Sequence, residues 1–389
     1  MAINFSNTAI AFSSKSDKEL QQAHFLFKSM SSPFLTKWGI RFTKFAFQYH
    51  LPIKGIIKRT IFNQFCGGET IEEANKTALK LSQYKVNVIM DYAVEGKSDE
   101  SLFNKTTQTF INTIQASAGK DYIPFVSLKV TGFCRFQLLE KIHLKKNLSK
   151  EEEQEFERFV ARVDLICNHA HQCQKMILID AEESWIQHPI DDVTNRMMMK
   201  YNKESVCVFN TFQMYRHDRL QYLKESHQLA LSNHYILGAK LVRGAYMERE
   251  RQRALDMGYT DPIQPNKESC DRDYNAGVTY CIENINSIVL FNGTHNEDSS
   301  KLGVQLMEKY GLPPNDRRVW FSQLYGMSEN ISFNLADAGY CVAKYLPYGP
   351  VQDVVPYLMR RAQENTSVTG QTGRELSLIQ KELERRKHL

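Results

Sequence analysis

The segment YCVAKYLPYGPVQDVVPYLMRRAQEN, residues 340–365, joins an apolar strand pattern directly to a helical pattern. Its first ten residues form a short apolar run that ends at Gly349. Pro350 follows in the first turn of a helix, where proline is tolerated, and the apolar residues after it recur at helical spacing. The segment therefore predicts a strand, a tight turn and a helix, the unit from which parallel sheets are built.

Seven more strand patterns precede this one. They are VNVIMDYAVEG, IPFVSLKVTG, KMILIDAEE, VCVFNTFQ, GAKLVRGAY, SIVLFNGTHN and RVWFSQLYG. Amphipathic segments lie between them, among them SLFNKTTQTFINTIQ, EEEQEFERFVARVDLIC and RLQYLKESHQLALSNHY. An open doubly wound sheet would alternate in the same way, but eight units favour an α/β protein closed into a (β/α)8 TIM-like barrel.

The segments outside this repeat are predicted to be helical. Before the first strand, Thr70 and Glu73 indicate a capping box for a helix that begins near Ile71. After the last barrel helix, the polar stretch TSVTGQTGRE precedes a short charged helix, LSLIQKELERRKHL. We therefore expect an N-terminal helical arm over residues 1–84, a barrel over 85–370 and a C-terminal helical tail over 371–389.

The overall charge excludes an obvious nucleic-acid-binding protein. The chain has 49 basic and 44 acidic residues, a net charge of +5. That balance is nearly even, and no basic patch is interleaved with aromatic residues. We expect no nucleic-acid partner.

The cysteines and the N-terminus favour a bacterial cytoplasmic protein. The eight cysteines are scattered and form no C-x-x-C pair, which is typical of reduced thiols. No run approaches the ~20 apolar residues of a membrane span. The first residues show neither a signal-peptide pattern nor the arginines of a transit peptide.

Polar residues recur where the predicted strands end. In barrels of this type the chemistry collects at the carboxyl ends of the strands, so these side chains are expected at one mouth. Each has a structural alternative: a lysine inside a strand can form an ion pair, and an acid can cap the next helix. The positions are Lys129, Asp180, Asn210, Gln213, Lys240, Arg243, Tyr246, Thr294, His295, Gln323 and Tyr345.

The last barrel helix carries two adjacent arginines, Arg360 and Arg361. At about 100° per residue, its apolar residues form one face that is expected to pack on the barrel, and Tyr357, Arg361, Glu364 and Arg360 follow one border of it. The spacing allows an Arg361–Tyr357 stack and an Arg360–Glu364 pair on a solvated face. Two guanidinium groups at a barrel mouth would also suit capture of a carboxylate.

Two other segments have residue types that could indicate a binding function. CNHAHQC, residues 167–173, has the residue types of a metal site, but it lies in the helix before strand three, at the wrong end of the barrel for catalysis. We therefore expect no metal site. LPIKGIIKRTIFNQF, residues 51–65, mixes basic and apolar residues and could touch a membrane surface, although packing of the arm on the barrel is the simpler expectation.

The motifs KLVRGAY, GTHN, SQLYGM, YLPYGP and YLMRRAQEN, in this order and at these strand ends, resemble those of the proline dehydrogenase family. IDAEE resembles the family upstream, and FCGGE and FNTFQ resemble its monofunctional branch more than the related domain of the bifunctional PutA proteins. The resemblance implies a distorted (β/α)8 barrel with FAD at its mouth. It also implies oxidation of L-proline to 1-pyrroline-5-carboxylate, by hydride transfer from proline C5 to flavin N5, as the first step of proline catabolism to glutamate.

The resemblance assigns several residues to the substrate and to catalysis. Arg360 and Arg361 would bind the proline carboxylate, with Lys129 as a third cation. Asp180 would lie beside Lys129 and orient it, and Lys240 would lie near flavin N5.

Apolar and aromatic residues are assigned to the substrate ring. Leu324, Tyr345 and Tyr357 would pack on the pyrrolidine ring, while Ala245 and Tyr246 would shape the pocket wall. Tyr345 suggests proline over hydroxyproline, because the added hydroxyl group would crowd it.

The cofactor assignments also follow from the resemblance. Lys240 and Asn210 depart from the arginine and glutamine of PutA domains, although both keep a hydrogen-bond donor. Gly244 would let the backbone come close to the cofactor. The residues expected to hold FAD are Ala181, Asn210, Gln213, Lys240, Arg243, Gly244, Ala245, Thr294 and His295.

The resemblance further implies electron transfer to a membrane quinone, with peripheral contact at the inner membrane. A separate pyrroline-5-carboxylate dehydrogenase would be the pathway partner. Two alternatives stay open on the sequence. One is a Schiff-base barrel lyase or aldolase that uses Lys129 or Lys240, and the other is a non-catalytic proline-binding protein.

Overall fold

The computed structural model describes residues 3–49, 51–93, 99–367 and 371–388. Eight parallel strands form a closed barrel in chain order, which confirms the predicted fold class. All eight predicted strands are present: β1 Asn87–Tyr92, β2 Phe125–Lys129, β3 Met176–Asp180, β4 Val208–Gln213, β5 Leu237–Val242, β6 Ile288–Gly293, β7 Val319–Leu324 and β8 Val342–Tyr348.

The chain divides into two compact units, each described by itself. The terminal unit comprises Met1–Glu95 and Gln323–Leu389. Its helices are α1 Thr8–Ala11, α2 Asp17–Met30, α3 Pro33–Gln48, α4 Lys54–Ile57, a π-helical turn Lys58–Phe62, α5 Asn63–Phe65, α6 Ile71–Ser82, α15 Glu329–Asp337, α16 Val351–Ser367 and α17 Gln371–Lys387.

The central unit comprises Gly96–Ser322. Its helices follow strands two to six or precede them, and a short 3-10 turn at Val130–Gly132 follows β2. They are α7 Glu100–Ser117, α8 Phe136–His143, α9 Lys150–Gln172, α10 Ser184–Tyr201, α11 Arg219–Ser232, α12 Met247–Met257, α13 Lys267–Glu283 and α14 Glu297–Lys309. The domain boundaries at residues 84 and 370 remain a prediction.

The core of the terminal unit forms between its N-terminal and C-terminal helices. Val354 and Leu358 of α16 belong to one buried apolar cluster with Phe12, Phe27 and Phe62 of the arm. The prediction that this face of α16 packs on the barrel was therefore incomplete, because much of its apolar surface is buried against the arm. Burial of several large side chains stabilises this packing through the hydrophobic effect.

Four aromatic rings fill the barrel interior of the central unit. The ring centroid of Phe125 lies 5.9 Å from Phe209, 5.2 Å from Phe291 and 4.9 Å from Trp320. These residues come from four strands, so they define which face of each strand is interior. Since side chains alternate along a strand, every second residue from each of these rings also faces the interior.

Two local predictions need correction. The Thr70 hydroxyl accepts the N–H of Glu73 at 3.3 Å, but the Glu73 carboxylate accepts the N–H of Glu69 rather than that of Thr70. The reciprocal half of the capping box therefore moves one residue upstream. Gly68 leaves space for the Glu73 side chain there, since an added Cβ would overlap with Glu73 Cβ. The predicted polar break before the last helix is also shorter than expected, since α16 reaches Ser367 and α17 begins at Gln371.

The CNHAHQC segment lies at the end of α9, where Cys167 is buried and His171 is exposed. Within the residues that the structure describes, no group of three His, Cys, Asp or Glu side chains is arranged to hold a metal ion. A helix long and apolar enough to cross a membrane is likewise not found in the described ranges.

Candidate functional site

Strand alternation places several predicted site residues on the interior face of the central unit. Counting in twos from Phe125 reaches Lys129 on β2, and counting from Phe209 reaches Gln213 on β4. Lys129 pairs in register with Asp180 at the end of β3. The structure therefore places Asp180 beside Lys129, as predicted.

Asp180 lies at the centre of a bonded group, the Asp180 cluster, formed with Ser127 and Lys240. The Lys240 ammonium nitrogen lies 2.5 Å from Asp180 Oδ1, and the Ser127 hydroxyl donates to the same oxygen at 3.0 Å. Lys240 is almost fully buried, and a buried ammonium group requires such a partner. This ion pair fixes the position of the Lys240 side chain.

Sequence reasoning missed Ser127. It lies two residues before Lys129 in VSLKVTG, so the period of a strand puts both side chains on one face. Because alternate residues of a strand share a face, the position of Ser127 relative to Lys129 could have identified it.

Asn210, which is predicted to hold the isoalloxazine, has side-chain partners within the protein, and its role at the cofactor stays a prediction. Its side-chain amide donates to Asp191 of α10 at 3.0 Å, and its side-chain oxygen accepts the N–H of Thr211 at 2.8 Å. Asn210 is adjacent to the interior Phe209, so its side chain points to the surrounding helices. Its buried amide serves to anchor α10 to β4.

Gln213 and Gly244 have features that suit a bound group. The Oε1 atom of Gln213 is buried, and among the described residues it has no hydrogen-bond partner, which is rare in a native structure. Gly244 has φ +132°, and an added Cβ would lie 2.5 Å from the Tyr215 ring. Both observations fit the flavin that the sequence resemblance implies.

Arg243 is held by a dense set of acceptors beyond the end of β5. Its guanidinium donates to Asp271 at 2.8 Å, to Thr294 at 2.7 Å and to Ser299 at 2.9 Å. It also stacks 4.3 Å above the Tyr274 ring. These contacts join the ends of β5 and β6 and fix Arg243 and Thr294 as a rigid polar wall.

The remaining cofactor candidates lie at strand ends in the central unit. Ala181 follows β3 and is buried, while His295 follows β6 and is half-buried. Ala245 is exposed and Tyr246 is half-buried in the turn after β5. Their positions are compatible with the predicted contacts, which stay a prediction.

Glu182, another residue that sequence reasoning missed, is buried just after β3. Its carboxyl accepts the Thr131 N–H at 2.9 Å and the Thr131 hydroxyl at 2.7 Å. Burial raises the pKa of Glu182 from 4.5 to about 7, although the Thr131 bonds and the charge of Lys129 oppose this. Glu182 therefore retains its proton at pH values where an exposed glutamate is ionised.

Replacing Glu182 with glutamine is expected to flatten the pH dependence of stability. The folded protein holds this proton up to about pH 7, whereas the unfolded chain releases it near pH 4.5. The stabilisation from Glu182 is therefore fully present below pH 4.5 and is lost as the pH rises to 7, by about 3 kcal/mol. Urea unfolding at pH 5 and pH 8 measures the difference.

Glu375→Gln provides the matched comparison. Burial also raises the pKa of Glu375 to about 7, so this variant should remove a separate share of the same pH dependence. A Glu182→Gln protein whose stability changes with pH as in the wild type would contradict the assignment.

The terminal unit contains the predicted ring-contacting residues. Tyr345 lies on β8, nearly buried, and its carbonyl accepts the Tyr325 N–H at 2.8 Å. Leu324 is half-buried at the end of β7, and Gln323 on the opposite face accepts the Ser332 hydroxyl of α15.

On α16, the Arg361 guanidinium lies 5.1 Å from the Tyr357 ring centroid, and both side chains are buried. The structural alternative considered for Arg361, a stack on Tyr357, is therefore present. Stacking on a ring uses the face of a guanidinium and not its N–H groups, so the stack does not exclude carboxylate binding. Arg360 is half-buried, and the side chain of Glu364 lies outside the described residues.

Glu69 of the FCGGE motif holds the start of α16. Its carboxylate accepts the N–H of Val351 at 3.2 Å and pairs with Lys58 at 2.7 Å and Lys54 at 3.0 Å. A carboxylate at a helix N-terminus is stabilising because it complements the helix dipole. The motif thus positions the helix that carries both arginines.

Lys344 is a third residue that sequence reasoning missed. It is fully buried on β8, and its ammonium group donates to the carbonyl of Met327 at 2.7 Å and to that of Leu324 at 3.2 Å. It also lies 3.2 Å from the carboxylate of Glu329. The neighbouring Tyr345 must then point to the opposite face of the strand.

Comparison with known proteins agrees with this geometry. A family model described as "Proline dehydrogenase" matches residues 74–374. The chain is 32% identical to proline dehydrogenase 1, mitochondrial, of Dictyostelium discoideum, over 98% of this chain and 74% of that protein. It is 30% identical to the hydroxyproline dehydrogenase of Xenopus laevis, over 99% of this chain and 90% of that protein.

The fold also resembles a solved structure. The crystal structure of proline utilization A (PutA) from Bdellovibrio bacteriovorus, inactivated by N-propargylglycine, superposes with a TM-score of 0.72 at 20% identity. The match covers 94% of this chain and 37% of that much longer chain. At this identity the likeness shows the fold alone.

Proposed function

This chain belongs to the proline dehydrogenase family, and from that premise we propose that it oxidises L-proline to 1-pyrroline-5-carboxylate with FAD as cofactor. The observation that carries the proposal is the family match over residues 74–374. That range contains the Asp180 cluster and the helix that bears Arg360 and Arg361.

We assign the flavin to residues at the strand ends of the central unit. Gln213 offers a buried acceptor, Gly244 offers a close approach of the backbone, and Arg243 with Thr294 offers fixed donors. When bound, FAD supplies the acceptor for the hydride that leaves proline C5 with its two electrons. Ala181, Ala245 and His295 complete the proposed set, and Lys240, fixed by Asp180, presents a cation to the isoalloxazine.

We assign the substrate to the residues that the sequence resemblance indicates. Arg360 and Arg361 bind the proline carboxylate, because two planar guanidinium groups match its geometry. Lys129 is a further cation for the substrate. The residues that pack on the pyrrolidine ring are Leu324, Tyr345 and Tyr357, with Tyr246 in the pocket wall.

The charge of these residues also suits the chemistry at the substrate nitrogen. Hydride can leave C5 only when the amine carries a lone pair, so the bound amine must be neutral. Neighbouring cations such as Arg360 and Arg361 disfavour a protonated amine through like-charge repulsion. The same residues would thus orient the substrate and hold it in its reactive form.

The electrons pass, in this proposal, to a membrane quinone, and a separate pyrroline-5-carboxylate dehydrogenase consumes the product. The relatives from Dictyostelium and other eukaryotes are named as mitochondrial proteins. A bacterial cytoplasmic location with peripheral contact at the inner membrane stays a prediction for this chain.

An anaerobic absorption spectrum before and after addition of L-proline tests the proposal. A flavin spectrum that bleaches with proline is expected. A flavin that stays oxidised would move the substrate elsewhere. A protein that stays colourless after addition of FAD would favour the lysine-based lyase, although the ion-paired Lys240 ammonium lacks the lone pair that a Schiff base needs.

Replacing Gly244 with alanine is expected to lower both stability and flavin content. The substitution forces φ +132° on an L-residue and brings Cβ to 2.5 Å from a buried ring, a cost of about 2–3 kcal/mol. Gly258→Ala is the matched control, because Gly258 also has a positive φ but meets no atom within 4 Å. Equal flavin retention in both variants would count against a close approach of the cofactor to the backbone at Gly244.

Replacing Tyr345 with serine is expected to shift preference toward trans-4-hydroxy-L-proline. Removal of the ring leaves space for the substrate hydroxyl, so the ratio of kcat/KM for hydroxyproline to that for proline should rise roughly tenfold or more. Steady-state kinetics with both substrates measure this ratio, and Tyr310→Ser, at an exposed position on the C-cap of α14, is the control. An unchanged ratio would remove Tyr345 from the substrate pocket.

A further inference from the structure

Helix α3 of the terminal unit carries a row of exposed aromatic side chains. Phe34, Trp38, Phe42, Phe45 and Tyr49 are between 52% and 67% exposed. At 100° per residue these five positions fall within an arc of about 80°. They therefore form one continuous aromatic stripe rather than scattered exposed residues.

The side of α3 away from the stripe is buried or half-buried at Thr36, Ile40 and Thr43. Thr36 and Ala46 are buried against the rest of the arm, and the Thr36 hydroxyl donates to the carbonyl of Met30 at 3.3 Å. An ordinary surface helix buries its most apolar face. In α3 the inner side also holds an apolar residue, the half-buried Ile40, but the aromatic stripe is left exposed. A continuous exposed stripe is typical of a surface that is covered by something other than its own chain.

The rings also contact one another along the surface. The centroids of Phe45 and Tyr49 are 4.5 Å apart, and those of Phe34 and Trp38 are 6.0 Å apart. Leu51 and Ile56, which follow the helix, are exposed as well.

The charged residues of the segment that contains α3 have one sign. From residue 20 to residue 68 the chain contains no Asp or Glu but seven Lys or Arg. Lys37 and Arg41 lie beside the stripe and are exposed, whereas Lys54 and Lys58 pair with Glu69. The stripe and its two flanking cations, Lys37 and Arg41, are here called the α3 face.

We propose that the α3 face binds the surface of an anionic lipid bilayer. Aromatic rings insert at the boundary between headgroups and acyl chains, while adjacent Lys and Arg residues attract anionic headgroups. A second copy of the chain fits less well, because a symmetric contact would bring like charges together. The biological purpose of this binding, delivery of electrons to a membrane quinone, rests on the proposed function. The binding itself is inferred from the α3 face alone.

The test uses the full-length FAD-loaded protein and two kinds of vesicle, phosphatidylcholine with and without phosphatidylglycerol. Co-sedimentation is expected to be strong with the anionic vesicles and to weaken with added salt. Of the three tryptophans, Trp38 is exposed, Trp185 is half-buried beside Arg253, and Trp320 is buried. Binding should therefore shift Trp fluorescence to the blue, and the Trp38→Phe variant should lose that shift while still binding.

Two double variants separate the contributions of rings and charges. Trp38→Ser with Phe42→Ser should weaken binding to anionic vesicles by about tenfold or more. Lys37→Glu with Arg41→Glu should weaken binding to anionic vesicles by a similar factor and leave binding to neutral vesicles unchanged. The control Leu165→Ser with Leu231→Ser removes two exposed apolar residues of the central unit and should bind as the wild type does.

The outcomes distinguish this inference from the proposed function. Dye-coupled proline oxidation should be unchanged in all these variants, because none of the substituted residues belongs to the proposed site. Failure to oxidise proline with intact vesicle binding would overturn only the proposed function. Absence of vesicle binding, or dimerisation in sedimentation that the Trp38→Ser with Phe42→Ser variant abolishes, would overturn the lipid-binding role of the α3 face.

Discussion

Replacing Arg361 with alanine is expected to lower kcat/KM for L-proline by roughly a hundredfold or more. The guanidinium is buried and stacked on Tyr357, so its position is fixed before substrate arrives. Truncating one partner of a buried charged pair costs about 2–5 kcal/mol, because the other charge is left without its counter-ion. Here the substrate carboxylate would be that unpaired charge, so KM should rise more than kcat falls.

Pyrrolidine, which lacks the carboxylate, separates binding from helix packing. For this substrate the Arg361→Ala variant should differ from the wild type by less than about threefold. Arg361→Lys should recover only part of the lost activity, since an ammonium group cannot form the paired hydrogen bonds of a guanidinium. Arg385→Ala, at a half-exposed ion pair on α17, is the control. An equal loss on both substrates would show that Arg361 holds α16 in place and does not bind the carboxylate.

Replacing Lys344 with methionine is expected to lower the free energy of unfolding by about 3–5 kcal/mol. The ammonium group is fully buried and lies 3.2 Å from Glu329. The carboxyl of Glu375 accepts the Ser328 N–H at 3.0 Å in the same region, and the charges of Lys344 and Glu329 act on it. Without Lys344, the buried negative charge loses its counter-ion, and the carbonyls of Leu324 and Met327 lose a donor.

The second variant, Lys344→Met with Glu329→Gln, tests the cause of this loss. Removing the unpaired carboxylate should restore a large part of the stability, although the two carbonyl groups still lack their donor. Urea unfolding followed by circular dichroism measures both proteins. A single variant that loses less than about 1 kcal/mol, or a double variant that is no better than the single one, would show that the ion pair does not stabilise the turn after β7.

Asn210 shows that strand alternation, which can be read from the sequence, was not used when residues were assigned by motif. Asn210 and Gln213 lie three positions apart on β4, so strand alternation forbids both from facing the barrel interior. The same count groups Ser127 with Lys129. Motif resemblance identified the correct strand ends, but the alternating period of each strand decides which of neighbouring polar residues faces the interior.

The sequence by itself determined the eight strands, the helices between them and the strand ends where polar residues lie. These features follow from local periodicity and from turn residues, which each segment carries within itself. It also determined the family, because the motifs occur in a fixed order along most of the chain.

Only the tertiary structure decided which partners the polar residues take. Asp180 pairs with Lys240, sixty residues away, and the FCGGE glutamate, Glu69, caps a helix that begins at residue 351. The packing of α16 on the arm and the aromatic stripe left exposed on α3 were also decided there. The physical reason is that burial and charge pairing depend on which segments meet in space, and the periodicity of one segment does not specify its tertiary partners.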